Sequence, residues 1–307
     1  MPANSSPTNV ANIFDNNALG LHRQRAKRLY NRGKTTSPDF LLKHAAEDIA
    51  SRISLVSRQF ENSTAIFGRT EVVASAMSEA KNVAKVSRIE DDAFYSNSPE
   101  FPTITTRADT LVPPSKLFDL AVSILAPHWS ANLPGLLIQI KNLIQPDGLF
   151  LGTLAGPDTL MELRECMAMA EVEIFGGISP RVDPFITVQS AGALMQRAGF
   201  ALPVIDSDKI IVRYDTFFDL VKDLRAMAAT NALRTREKRK YSKILFTRAA
   251  EIYASRFADN DGRIRATFEL ISISGWVPHP SQQKPMKPGS AKIHLADALN
   301  KSKTGRE

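Results

Sequence analysis

The stretch Phe118–Thr153, FDLAVSILAPHWSANLPGLLIQIKNLIQPDGLFLGT, reads as strand, helix and strand. Phe118–Leu125 is a short apolar run interrupted only by Asp119 and Ser123, the pattern of a strand buried on both faces of a parallel sheet. Asn132 stands where a helix N-cap belongs, with Pro134 in the first turn that tolerates it. Leu136, Leu137, Ile140, Leu143 and Ile144 follow at spacings of three and four, so one helix face is apolar and needs a sheet to lie on. Pro146-Asp147-Gly148 ends the helix and leads into a second strand at Leu149–Thr153, completing a right-handed crossover.

Composition bounds the rest. With 307 residues, 43% of them apolar and 23% charged, the chain has enough material for one large α/β domain with additions. A single cysteine, Cys166, excludes a disulfide framework and suits a reducing compartment. No run approaches the roughly 20 apolar residues of a membrane helix, and Met1–Val10 is polar and without arginine, so a cytoplasmic, bacterial protein is expected. The net charge of +7 is concentrated in Arg23, Arg25, Lys27, Arg28, Arg32 and Lys34, and again in Arg234, Arg236, Lys238, Arg239, Lys240 and Lys243. Such clusters either attract an acidic partner or are merely solvated helix faces.

FDLxVS, HW, NLP and QPDGxFxG resemble the fourth and fifth strands of the class I S-adenosylmethionine (SAM) dependent methyltransferases. The resemblance is strongest to the branch holding the malonyl-acyl-carrier-protein methyltransferase of biotin synthesis and the mitochondrial arginine-hydroxylating assembly factor of respiratory complex I. IFDxxxxxxHRxRA from Ile13, GxDTLxELR from Gly156, GGISPRVDPF at Gly176–Phe185 and the tail from Trp276 to Ala291 carry it through nearly the whole chain. It implies a Rossmann-like α/β fold: a seven-stranded sheet with helices on both faces, an N-terminal helical segment, and an insertion between strands five and six. The domain division expected is a basic N-terminal segment (1–36), a methyltransferase-like domain (37–277) with a lid at about 156–188, and a Pro/Lys-rich tail (278–307).

Within that resemblance, Ser63–Phe67 is the first strand, followed by a loop that is glycine-rich in the family because the backbone must approach the cofactor with no Cβ in the way. Here Ala65 falls at the family's acid, and Phe67, Arg69 and Glu71 fall at its three glycines; only Gly68, between them, is glycine. Phe67, Gly68 and Arg69 are therefore the loop candidates for cofactor contact, and Arg69 is placed to fill the pocket where a sulfonium stands. Glu90, at the end of a second strand, matches the acid that takes the ribose hydroxyls. Asp109 matches the acid aimed at the adenine, and Ser123 closes the cofactor set. The cofactor implied is SAM, with its ordinary affinity put in question by this loop.

His128 and Trp129 follow the fourth strand, at the carboxyl edge where open α/β sheets bind ligands. A histidine there serves as general base or substrate guide, or simply packs. The insertion contributes Arg164, Glu171, Arg181 and Asp183 as pocket candidates, with Arg–carboxylate ties within a lid as the alternative. Leu202–Asp206 and Ile210–Tyr214 read as the antiparallel pair ending the sheet, and Ala266–Ile273 as one strand more than the sheet requires. No metal-spaced Cys/His cluster, phosphate loop or nucleophile elbow is present, and no catalytic base is assigned.

Three functions stay open: methyl transfer to an acyl-carrier, small-molecule or protein substrate; a non-catalytic binding module or assembly factor for a respiratory complex; and arginine hydroxylation. The partner expected is an acidic protein, an acyl carrier protein or a respiratory-complex subunit, rather than nucleic acid.

Overall fold

A computed structural model describes residues 13–31, 39–91, 100–106, 110–111, 117–237 and 243–283. Among them lie strands β1 (Ser63–Ile66), β2 (Val86–Glu90), β3 (Thr103–Thr105), β4 (Phe118–Ile124), β5 (Ile144–Ala155), β6 (Ala201–Tyr214) and β7 (Ile264–Trp276). The helices are α1 (Asn16–Asn31), α2 (Phe40–Ser54), α3 (Val72–Ser78), α4 (Leu133–Leu143), α5 (Met161–Phe175), α6 (Val188–Arg197), α7 (Phe217–Ala226) and α8 (Lys243–Phe257). One sheet of seven strands runs β3-β2-β1-β4-β5-β7-β6, parallel except for β7, which is antiparallel to both neighbours.

β4 is buried at all seven positions, as its apolar run requires. Leu120 and Val122 pack with Ala45, Ile49 and Ile53 of α2 and Val73 and Met77 of α3. Ala121 faces the other way, onto Leu136, Leu137 and Ile140 of α4 and Met195 of α6. The sheet is thus covered on both sides. The two polar residues in β4 stitch it to the chain around β1: Asp119 accepts the N–H groups of Glu61 at 2.6 Å and Asn62 at 3.1 Å, and the Ser123 hydroxyl donates to the Ile66 carbonyl at 2.9 Å. Asn132 caps α4 as its position predicts, accepting the Gly135 N–H at 3.0 Å.

Two local expectations change. The α4 helix passes directly into β5, and residues 145–148 bulge out, since Phe118 pairs with Ile144 but Leu120 with Leu149. Asp147 takes a left-handed φ of 63°, and a Cβ on Gly148 would meet Ile144 Cγ2 at 2.4 Å. At the far edge, the expected antiparallel pair is one continuous 14-residue strand, β6, and its antiparallel partner is β7. The extra strand is therefore the seventh, and α7 and α8 form a second insertion, between β6 and β7.

That second insertion joins the first. Leu163, Cys166, Met167 and Ala170 of α5 share a buried cluster with Phe217, Leu220 and Leu224 of α7 and Leu245, Ala249, Ile252 and Tyr253 of α8. Because α5 leaves the carboxyl end of β5 and α7 that of β6, both sit over the sheet edge at which open α/β folds bind ligands. α1 completes the cover. The Asp15 N–H donates to the Ala232 carbonyl at 2.8 Å, Arg236 pairs with Asp15 at 2.7 Å, and Arg23 pairs with Asp91 at 3.0 Å. Of the division expected from sequence, residues 1–12, 32–38 and 284–307 lie outside the described set, as do Lys238, Arg239 and Lys240. No described helix is long and apolar enough to cross a membrane.

Candidate functional site

The turn between β1 and α3 keeps a glycine-type backbone without the glycines. Phe67 and Arg69 have φ of 55° and 57°, whereas Gly68 between them does not take a positive φ. For residues with a Cβ this conformation costs roughly 1–2 kcal/mol each. It is held by hydrogen bonds: the Phe67 N–H donates to the Ile89 carbonyl at 2.7 Å, and the Arg69 N–H to both Glu90 carboxylate oxygens at 3.0 and 3.1 Å. The Phe67 ring is buried in the core with Ile89, Leu111 and Ala126.

Glu90 has no exposed surface. Besides the Arg69 N–H it accepts Arg88 Nη2 at 2.7 Å, and Arg88, two residues back on the same face of β2, is itself only 2% exposed. Burial pushes the Glu90 carboxyl up to about 7, against the pull of Arg88 and Arg69.

Over this turn opens a cavity of about 1540 Å³. Its walls come from α1, the β1–α3 turn, the segment after β4, the β5–β6 insertion, and α7 with the loop that follows. On one wall the His128 ring lies 5.2 Å from that of Trp129 and 6.2 Å from that of Phe185, and Trp129 lies 5.6 Å from Phe14. Burial, reinforced by nearby Arg69, drives the His128 pKa down to about 3, so its ring is neutral at any physiological pH. Its Nδ1 is buried without a hydrogen-bond partner.

Asp183, two residues before Phe185, also lines the cavity. It is only 8% exposed, its Oδ1 is buried with no partner, and burial alone pushes its pKa up to about 6. The cations around the cavity behave differently. Arg181 pairs with Glu171, which also takes the Ser179 N–H and hydroxyl, and Arg23, Arg88 and Arg236 pair with Asp91, Glu90 and Asp15. Among the described acids that line the cavity, Asp183 alone is buried, and it has no cation partner, whereas Asp39 and Glu71 are half-buried and Glu47 and Glu79 exposed.

The sequence candidates thus divide. Phe67, Gly68, Arg69, His128, Trp129 and Arg181 meet on the cavity wall, as does Asp183. Glu90 lies behind the turn, and the Ser123 hydroxyl is spent on Ile66 rather than facing the cavity. Arg164 turns away to the Pro157 and Thr159 carbonyls, at 3.2 and 3.3 Å, bracing the start of α5. Asp109 lies outside the described residues. Sequence reasoning missed Arg88, although an arginine two residues before an acid in a strand signals a same-face pair. It also missed His22 and Arg225, whose roles depend on α1 meeting α7 across some 200 residues of sequence. Among the described residues no group of three or more His, Cys, Asp or Glu is placed to hold a metal.

No family model matches the sequence. The arginine-hydroxylase NDUFAF5, mitochondrial, of Homo sapiens is 33% identical over 300 residues, 96% of this chain and 86% of the human protein. Its Dictyostelium discoideum namesake is 42% identical over 189 residues, 61% of this chain but 43% of that protein. The malonyl-[acyl-carrier protein] O-methyltransferase of Xylella fastidiosa is 34% identical over 161 residues, 52% of each chain. Among solved structures, a Bacillus halodurans protein described as a methyltransferase superposes with a TM-score of 0.51 at 12% identity, covering 76% of this chain and 99% of that one. The YcgJ protein of Bacillus subtilis gives 0.50 at 12% identity, with 77% and 99% covered. These two likenesses show the class I methyltransferase fold.

Proposed function

The chain belongs to the family of the NDUFAF5 arginine hydroxylases, and from that premise we propose that its cavity binds the side chain of an arginine on a protein substrate. The observation that carries this is Asp183: a nearly buried carboxylate, lacking a cation and facing a cavity walled by aromatic rings. A guanidinium supplies what that site lacks, since it pairs with a carboxylate through parallel N–H donors and stacks on aromatic planes. His128, held neutral, presents a ring rather than a competing charge. In this reading Asp183 binds, His128, Trp129 and Phe185 orient, and the cover formed by α1, α5, α7 and α8 excludes water.

SAM fits poorly in its ordinary mode. The acid expected to take the ribose is saturated by Arg69 and Arg88, and Phe67, Arg69 and Glu71 bring side chains to a turn where a methyltransferase keeps hydrogen atoms. One observation favours the methyltransferase reading as the second: the cavity stays open along Gly68–Glu71 rather than being filled there. The partner in the first reading is a subunit of a respiratory complex, as the family resemblance implies, and the cytoplasm of a bacterium is the compartment that composition favours.

The test is fluorescence anisotropy with labelled peptides carrying a central arginine, against the same peptides with citrulline, which keeps the shape and loses the charge. Tighter binding of the arginine form, abolished by Asp183→Asn, supports the reading; equal affinity for both forms removes it. A parallel calorimetric titration with SAM and S-adenosylhomocysteine decides the second reading.

A further inference from the structure

We propose that Arg25 and Arg225 form an anion subsite on the cavity wall that selects a carboxylate flanking the target arginine. The proposal rests on the arginine-binding reading above, and it concerns a different pair of residues. Arg25 projects from α1 and Arg225 from the last turn of α7, and both line the cavity.

Among the described residues, neither guanidinium has a carboxylate partner, in contrast to Arg23, Arg88, Arg181 and Arg236 on the same walls. Arg25 Nη2 donates to the Thr230 hydroxyl at 3.0 Å, while its Nε is buried with no partner. His22, one turn earlier on α1, lines the same cavity and has a buried, unpartnered Nδ1. Burial and the charge of Arg225 hold the Arg25 pKa below its ordinary value, and no acid opposes them. Burial and Arg25 in turn lower the His22 pKa from its ordinary value.

Arg25, half-buried, and Arg225, exposed at the cavity edge, repel one another, so together they raise the local potential and attract an anion. The C-terminal dipole of α7 accounts for a cation at Arg225, but it gives no reason for a second one, on another helix, beside it. An occupant larger than a free ion is indicated by the space. At about 1540 Å³ the cavity exceeds the ~300–1,000 Å³ of an ordinary small-molecule site, so a chain segment fits it better than a lone anion. The same cavity then offers an acid to a cation, at Asp183, and a cation pair to an acid. The segment that satisfies both carries an arginine with an aspartate or glutamate nearby.

The experiment uses the full chain and labelled peptides with a central arginine and one glutamate walked through each flanking position, against an all-glutamine control. At the favoured position the glutamate peptide is expected to bind about tenfold tighter, the size of one charge-assisted contact. Arg25→Gln should erase that advantage while leaving the preference for arginine over citrulline. Arg225→Glu, on the exposed end of a helix, sets a carboxylate beside Arg25 that pairs with it, and should likewise erase the advantage. Thermal melts establish that both variants are folded. A glutamate advantage that survives both substitutions, no advantage at any position, or no binding by any peptide overturns the subsite. If wild type ignores the arginine-to-citrulline change yet keeps a glutamate advantage sensitive to Arg25 and Arg225, the arginine reading fails and the anion subsite stands.

Discussion

The backbone N–H of Arg69 donates to both carboxylate oxygens of Glu90, at 3.0 and 3.1 Å, and so ties the strained turn after β1 to the end of β2. An acid that the fold usually turns toward a ligand is here part of the scaffold. It holds the left-handed turn in place and neutralises Arg88, a guanidinium only 2% exposed.

Glu90→Gln therefore leaves Arg88 buried without an anion, and the expected loss of stability is about 3–5 kcal/mol. Replacing both partners, as Arg88→Met with Glu90→Gln, should recover much of that loss, because an apolar isostere removes the stranded charge. Urea denaturation of the two single variants and the double variant gives the coupling. Additive losses would show that Arg88 and Glu90 do not act as a pair.

Arg69→Gly acts on the same turn with the opposite sign. Relief of a left-handed φ is worth roughly 1–2 kcal/mol, and the greater freedom of glycine in the unfolded chain returns about 0.5–1 kcal/mol, so a net gain near 1 kcal/mol is expected. SAM binding should not appear in this variant, because Glu90 still accepts the residue-69 N–H and Arg88. Calorimetric heat with SAM in Arg69→Gly would contradict the assignment of Glu90 to the scaffold.

The elements that follow simple periodicity were legible, and those that depend on partners distant in sequence were not. β4 and α4 read directly, since an apolar run bounded by a cap needs nothing else to be seen. β6 misled because Asp206-Ser207-Asp208-Lys209 has the composition of a turn. In the fold each of the four has a partner elsewhere: Asp206 takes Arg52 at 2.5 Å, Ser207 donates to Glu269 at 2.7 Å, Asp208 lies 3.4 Å from His44, and Lys209 pairs with Asp158 at 2.5 Å. Side chains held in this way leave a polar stretch free to continue as strand. The site shows the same division. Asp183 and Arg181 were visible within one motif, whereas the approach of Arg25 to Arg225 exists only once α1 crosses the mouth.

Asp183 gives the site a pH dependence with a definite sign. Burial raises its pKa from 3.8 to about 6, so the folded protein holds a proton there that the unfolded chain has released. Its contribution to stability therefore falls as pH rises from about 4 to about 6, and Asp183→Asn should flatten that part of the profile. Peptide binding runs the other way, because a guanidinium needs the ionised carboxylate. For a group titrating at about 6, the ionised fraction grows about tenfold between pH 5 and pH 7, and arginine-peptide affinity should grow by the same factor. A flat binding profile over that range would remove Asp183 from the recognition of arginine.

The cover formed by α1 is testable through Phe14, which is 2% exposed and packs with Ala18, Leu19, Ala232, Leu233 and the Trp129 ring. Its neighbours tie the backbone, since the Arg234 N–H donates to the Ile13 carbonyl at 2.9 Å and the Asp15 N–H to Ala232 at 2.8 Å. Truncation of a buried phenylalanine costs about 3–5 kcal/mol, a large share of what a short covering segment contributes by packing. Phe14→Ala should therefore open this cover locally and leave the sheet intact. Trp129 then gains water and its emission shifts to the red, whereas Trp276, paired with Leu149 within β7 and β5, keeps its surroundings. The global urea midpoint should move little, and hydrogen exchange should rise in 16–31 and 230–236 alone. A shifted midpoint with unchanged Trp129 emission would instead make α1 an integral part of the core, and the cavity a closed one.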